Sequence, residues 1–278
     1  MPTIHEKLCS IRRRLEAVSS EAAQEAQLIL AHVYGTTPGA LIMRLLHEAE
    51  REEETDRIVA ARLEGRPLAY ILKSRSFYGA DFYVDERVLI PRWDTESVVK
   101  EAVRRIAACE YRTAADICCG SGCIGITLLR ETDIGCVTFT DISPGALAVA
   151  CENARRLAPQ RAARFCRGDL LRAMTEPADL LVCNPPYIPD AEIATLESQV
   201  RDHEPRLALA GGWDGLGFYR RLAEDAPEFL RPGGTLLMET GDGQAQAVSG
   251  LLAEHGFADI QTGEDLSGRL RWAAGVWR

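Results

Sequence analysis

The chain predicts a doubly wound α/β domain with a seven-stranded, mostly parallel sheet, preceded by a small helical domain. Three observations carry this expectation. From about residue 95 onward, short β-branched or apolar runs alternate with helical periodicities. A glycine-rich turn, Gly120-Ser121-Gly122, follows the first of those runs. Residues 3–64, by contrast, hold helical spacing throughout.

The elements follow in order. Ile4, Leu8, Ile11, Leu15 and Val18 recur at threes and fours and predict a first helix. Ala22, Ala26, Ile29, Leu30 and Val33 predict a second, opening near Ser20 and closing at Gly35. A short third covers Leu41 to Leu46, and a fourth runs from about Ala49 to Gly65, where Arg66-Pro67 ends it. In residues 1–75 the basic and acidic residues balance, so the net charge of −9 lies in the remainder. Phe77 to Val84, followed by Val88 to Pro91, is aromatic and β-branched with turn residues between, which predicts a hairpin joining the domains. Strands are then expected near 114–118, 136–140, 164–166, 180–183, 235–239, 260 and 270–276, with helices from Gly122, Pro144, Leu216 and Gln244. The expected division is a helical domain at 1–75, a hairpin linker at 76–92 and the larger domain at 93–278.

Hydrophobic content of 46% and charged content of 26% are those of an ordinary soluble globular protein. The −9 charge argues against a long nucleic acid as the main partner, because phosphate neutralisation needs clustered Lys and Arg. Nine irregularly spaced cysteines without a secretory leader pattern point to a reducing, cytoplasmic setting. Ala26 to Met43, the longest stretch without formal charge, is too polar for a membrane span. Cys118, Cys119 and Cys123 have no His or further Cys at ligand spacing, so no metal is expected.

Asn184-Pro185-Pro186-Tyr187 follows the apolar run Asp179 to Cys183. An Asn side-chain oxygen and the next backbone carbonyl, fixed by consecutive prolines and followed by an aromatic ring, form a grip for a planar NH2 group. The lone pair of such a nitrogen is delocalised, so a protein acting on it must orient it at an electrophile. Asp116-Ile117-Cys118-Cys119-Gly120-Ser121-Gly122 sits where a strand becomes a helix, a place where backbone approaches a ligand. Asp141 ends the second strand, suited to ribose hydroxyls, and Asp169 follows the third, near an adenine edge. Taken singly, each aspartate is also compatible with a helix cap or turn. Together, at successive strand ends, they argue for one crevice. A nicotinamide dinucleotide would need a pyrophosphate cradle, whereas S-adenosylmethionine needs none, and its ammonium suits an acidic neighbour such as Asp116. Its methyl group is the electrophile that the amine grip requires.

With these motifs in place, the chain resembles the peptide chain release factor glutamine methyltransferases over nearly its whole length. The likeness rests on Pro67-Leu68-Ala69-Tyr70-Ile71, Phe77-Tyr78-Gly79, Leu89-Ile90-Pro91-Arg92 with Thr95-Glu96, the Asp116 to Gly122 loop, Asp141, and Asn184 to Ile188. It extends through Glu204-Pro205 with Ala208-Leu209, Gly212 to Leu216 with Tyr219-Arg220, and Glu239 to Gln244. The resemblance implies a Rossmann-like S-adenosylmethionine-dependent methyltransferase fold, with S-adenosylhomocysteine as product. The implied acceptor is the glutamine of the release factor GGQ loop, and the helical domain would bind that factor. Asn184, Pro185 and Tyr187 are the expected catalytic residues and, with Pro186, the substrate contacts. Cofactor contacts are expected from Asp116, Cys118, Cys119, Gly120, Ser121, Gly122, Asp141, Asp169, Leu170 and Asn184. The chain departs from the family pattern at Trp93-Asp94 in place of Pro-Glu, at Cys118-Cys119 in place of Gly-Thr, and at Leu170, where many members carry an aromatic residue. Residues 189–212 are expected to form a flap over the substrate, and the protein is expected to act as a monomer. A nucleic-acid amino-methyltransferase acting on adenine or cytosine shares the Asn-Pro-Pro-Tyr motif, but would need a basic channel.

Overall fold

The computed structural model describes residues 2–278. The chain divides into two compact units, one of residues 1–74 with 197–203 and one of 75–196 with 204–278. No helix among the described residues is long and apolar enough to cross a membrane.

The first unit is helical, with α1 Ile4–Leu15, α2 Ala22–Val33, α3 Pro38–Leu41, α4 Glu52–Leu63 and α5 Leu68–Leu72. Helix α1 starts where Thr3 and Glu6 cap each other's backbone N–H, which satisfies two otherwise orphaned donors. Ile11, Leu15, Ile29, Leu30, Leu41 and Val59 bury into one core. The expected third helix is shorter and becomes a 3-10 turn at Ile42–Arg44. Glu197–His203, expected within the flap, belongs to this helical unit.

The second unit opens with β1 Arg75–Phe77 and β2 Ala80–Phe82, an antiparallel hairpin. Its turn residues, Tyr78 at φ 46° and Gly79 at φ 72°, are both left-handed, the geometry that matches strand twist. The hairpin is therefore tighter than the sequence suggested, and Val88 to Pro91 is not a strand. Phe77 and Phe82 bury in the core beneath the main sheet, so the stretch read as a linker is part of this unit's core.

The main sheet comprises β3 Thr113–Ile117, β4 Cys136–Asp141, β5 Ala162–Arg167, β6 Ala178–Cys183, β7 Leu230–Glu239, β8 Ala258–Glu264 and β9 Leu270–Val276. Its order is β5-β4-β3-β6-β7-β9-β8, with only β9 antiparallel to its neighbours. Alternation along the strands divides the core. Ala114, Leu180, Val182 and Leu237 face α6 Thr95–Cys109, α7 Cys123–Glu131 and α8 Pro144–Leu157. Ala115, Leu181, Cys183 and Met238 face α10 Gly217–Phe229 and α11 Ala245–Glu254, with α9, Ser198–Arg201, lying in the helical unit. Helix α6 was not foreseen. After β3 the chain winds outward through β4 and β5, then returns to place β6 on β3's other side. The carboxyl ends of β3 and β6 thus flank a topological switch point, where such sheets bind ligands.

Candidate active site

A cavity of about 320 Å³ opens at that switch point. Its size is that of a small-molecule or cofactor site. The loop after β3 forms its floor. Cys118 at φ 56°, Gly120 at 53° and Gly122 at 77° are left-handed, which turns the chain sharply enough to present backbone to the cavity. At Gly122 a Cβ would stand 2.9 Å from Ile126 Cδ1 and 3.1 Å from Ala150 Cβ, so α7 and α8 pack closely only around a glycine. Gly125 does the same between α7 and the sheet, where a Cβ would meet the Phe139 ring at 2.5 Å.

Asp141 ends β4 on the cavity wall. Gly120 N donates to its Oδ2 at 3.0 Å and Ser143 N to its Oδ1 at 2.9 Å. Burial pushes its carboxyl above the ordinary range, against those two backbone donors. Each oxygen retains a lone-pair site for a further donor. Asp169 also lines the wall and pairs through Oδ2 with Arg221 at 2.6 Å. Leu170, left-handed at φ 53°, is buried and supplies an apolar wall with Ile142 and Ala146.

The structure brings Cys118, Cys119, Gly120, Ser121, Asp141, Asp169, Leu170, Asn184 and Pro186 to one cavity. Asp116, Gly122, Pro185 and Tyr187 are not on its wall. Asp116 lies beneath the loop at 1% exposure, accepting from Gly125 N at 2.8 Å, and burial pushes its carboxyl up to about 8. It supports the loop from below. Tyr187, expected to pack against the substrate, instead packs among the residues between the sheet and α10.

The turn after β6 is held from three sides. Ile188 N donates to Leu209 O at 3.0 Å and Gly211 N to Ile188 O at 2.8 Å, which fastens it to the 205–211 segment. Gln244 Nε2 reaches the Tyr187 carbonyl at 3.0 Å. Asn184 Nδ2 donates to Thr95 Oγ1 at 3.4 Å. The last contact turns Asn184 Oδ1 away from Thr95, and among the described residues no group donates to that oxygen or to the Pro185 carbonyl.

Sequence reasoning missed several wall residues, including Arg87, Arg92, Thr95, Phe218 and Arg221. Arg92 pairs with buried Glu204, whose Oε2 also accepts from Ile90 N at 3.2 Å. The Leu-Ile-Pro-Arg and Glu-Pro segments were recognisable as motifs, but 112 residues separate the pair and nothing local announces it. Arg87, Arg92 and Arg221 are each engaged by a carboxylate, on Asp85, Glu204 and Asp169. The wall therefore offers no uncommitted guanidinium for a pyrophosphate. Its spare valences are acceptors, which suits a cationic nucleoside.

Fold and site together define a Rossmann-like methyltransferase whose methyl donor is S-adenosylmethionine. Residues 100–213 match the Methyltransferase small domain family and residues 6–72 the PrmC N-terminal domain family. A release factor glutamine methyltransferase of Geobacter sulfurreducens is 45% identical over 78% of this chain and 76% of its own length. Another, from Cereibacter sphaeroides, is 39% identical over 94% of each chain. The solved structure of a methyltransferase from Pyrococcus furiosus shares the fold, with a TM-score of 0.52 at 16% identity over 80% of this chain and 98% of that one. The chain belongs to the release factor glutamine methyltransferase family.

Proposed function

We propose that this protein transfers the methyl group of S-adenosylmethionine to the side-chain amide nitrogen of the glutamine in the GGQ loop of peptide chain release factors, with Asn184 and Pro185 holding the acceptor. One observation carries the reading: Asn184 Oδ1 and the Pro185 carbonyl, two adjacent acceptors in a braced turn at the cavity, have no donor of their own among the described residues. A primary amide supplies two N–H groups.

The donor supplies an activated methyl and a neutral thioether leaving group, so no base is required for attack. What remains for the protein is placement. Asn184 Oδ1 and the Pro185 carbonyl accept the two N–H bonds and turn the nitrogen lone pair toward the cofactor. As the nitrogen gains positive charge, both acceptors hold it more strongly than in the ground state. The proton it then sheds passes to solvent. Asp141 has the lone-pair sites for two ribose hydroxyls, Asp169 Oδ1 is suited to the adenine amine, and Leu170 with Ile142 forms the apolar wall. Tyr187 contributes through its carbonyl, which anchors the turn to Gln244. The helical unit binds the release factor. Nine free cysteines support a cytoplasmic setting, and light scattering tests the monomer.

The test is transfer of labelled methyl from S-adenosylmethionine to purified release factor, with a factor carrying GGA in place of GGQ and with DNA in parallel. Label on the wild-type factor alone is expected. Label on DNA would move the assignment to a nucleic-acid amino-methyltransferase.

A further inference from the structure

Two irregular stretches of chain line the cavity and meet at one carboxylate. Leu89, Pro91 and Arg92 come from the segment before α6, and Pro205, Leu207 and Ala208 from the segment before α10. Residues 89–92 have no helical or strand structure, and among the described residues no backbone–backbone hydrogen bond holds them. Apart from the burial of Ile90, their ties are to side chains. Arg75 Nε donates to the Pro91 carbonyl at 3.2 Å. The other two ties both go to Glu204, whose Oε2 accepts from Ile90 N at 3.2 Å and whose Oε1 accepts from Arg92 Nη2.

The Glu204 side chain is 1% exposed. A carboxylate taken out of water is costly even when paired, and an apolar side chain could fill the same space. Only a carboxylate accepts from a backbone N–H and a guanidinium at once. On the far side of Glu204 the chain is firmly held. Ala208 N donates to Pro205 O at 2.8 Å, and Ile188 N to Leu209 O at 3.0 Å, which fastens this segment to the turn after β6. Glu204 thus ties a weakly held stretch of wall to a braced one. Leu207 remains 56% exposed on that braced stretch, an apolar surface left for a ligand.

We propose that Glu204 is a positioning residue that latches residues 89–92 to residues 205–208 on the cavity wall, and so slows release of the methyl donor and its product. The inference rests on the reading that this cavity holds the donor. Arg92 and Ile90 must let go of Glu204 before the two stretches part. Arg92 acts here through Glu204, so the two side chains form one device.

Release of labelled S-adenosylhomocysteine from the full chain, chased with unlabelled ligand, tests this. Glu204→Gln keeps the shape and an acceptor for Ile90 N but loses the charge that holds Arg92. It should release the ligand roughly tenfold faster, with the association rate constant within about threefold of wild type. Arg92→Met should do the same. The double variant should be within about twofold of the faster single one, because both changes remove one interaction. Leu207→Ala should release several-fold faster without a change in urea midpoint, since its side chain is exposed. Wild-type release by Glu204→Gln, even with a lowered urea midpoint, overturns the latch and leaves Glu204 a structural residue. Effects that multiply in the double variant also overturn it, by making Glu204 and Arg92 independent. If Glu204→Gln does not fold, wild-type release by both Arg92→Met and Leu207→Ala overturns the proposal. A wild-type protein that does not bind S-adenosylhomocysteine would instead remove the reading of the cavity, and the latch with it.

Discussion

Gln244 Nε2 donates to the Tyr187 carbonyl at 3.0 Å, while Gln244 Oε1 accepts from Gly241 N at 3.0 Å and from Tyr219 Oη at 3.3 Å. One amide thus locks the turn that carries Asn184 and Pro185 onto the start of α11. Glutamate offers the acceptor half of this bridge but not the donor. Gln244→Glu should lower the methylation rate roughly tenfold, as expected for one lost positioning bond. Calorimetric affinity for S-adenosylhomocysteine should change little, since Gln244 is not on the cavity wall.

Two glycines of the 211–217 segment separate space from strain. Gly215 is left-handed at φ 73°, and a Cβ there would lie 2.3 Å from the Tyr187 carbonyl oxygen and 2.7 Å from Gln244 Nε2. Gly212 is left-handed at φ 91° with nothing within 4 Å of that position. Gly215→Ala should therefore force the bridge apart, costing about 1–3 kcal/mol of stability together with most of the turnover. Gly212→Ala should cost about 1 kcal/mol of backbone strain and leave the rate near wild type. Paired urea titrations and initial rates check the contrast.

Cys118 holds a left-handed backbone at φ 56°, the region that favours glycine. A side chain there costs about 1 kcal/mol. Cys118→Gly should stabilise the ligand-free protein by about that amount, and Cys118→Val should destabilise it, because a β-branched residue fits this region worst. Urea denaturation gives the difference directly.

The buried acids set the pH dependence of stability. Burial raises Asp116 to about 8 and Glu239 to about 7, and it moves Asp141 and Glu204 in the same direction. In the unfolded chain these groups ionise near 4. Between about pH 5 and 8 the folded state consequently holds protons that the unfolded state lacks, and stability falls as pH rises. Asp85, held by Arg87, and Asp265, held by Ser267, lie at about 2. Their contribution is complete above about pH 4 and disappears in more acidic solution. The urea midpoint should rise from pH 8 to 5 and drop below 4. Asp116→Asn should flatten the upper part of that curve, and a wild-type midpoint that climbs with pH through this window would contradict the assignment.

Much of this site was legible because its chemistry is local. The loop from Asp116 to Gly122, Asp141 and the Asn-Pro-Pro-Tyr turn each fall at a strand end, and seven short runs marked the seven strands. Other features have no local signature. The pairings of Arg92 with Glu204 and Arg221 with Asp169 span 112 and 52 residues. The role of Gln244 depends on where Tyr187 turns. Helix α6 did carry a readable stripe in Val98, Val99, Ala102 and Ile106, all of which bury in the core. The hairpin was misjudged because Val88 to Pro91 has strand composition, while the Tyr78-Gly79 turn closes β1 directly onto β2. The Asp116 carboxylate was expected in contact with the cofactor, but strand alternation directs it under α7, where Gly125 meets it.

The central claim is that Asn184 orients the acceptor amide without contributing much to cofactor affinity. Initial rates of methyl transfer to release factor by Asn184→Ala, measured beside its affinity for S-adenosylhomocysteine, test it most directly. The rate should fall roughly a hundredfold or more, as when one preorganised group of an active site is removed, with affinity within a few fold of wild type. A rate within tenfold of wild type, or an equal loss of rate and affinity, would contradict it.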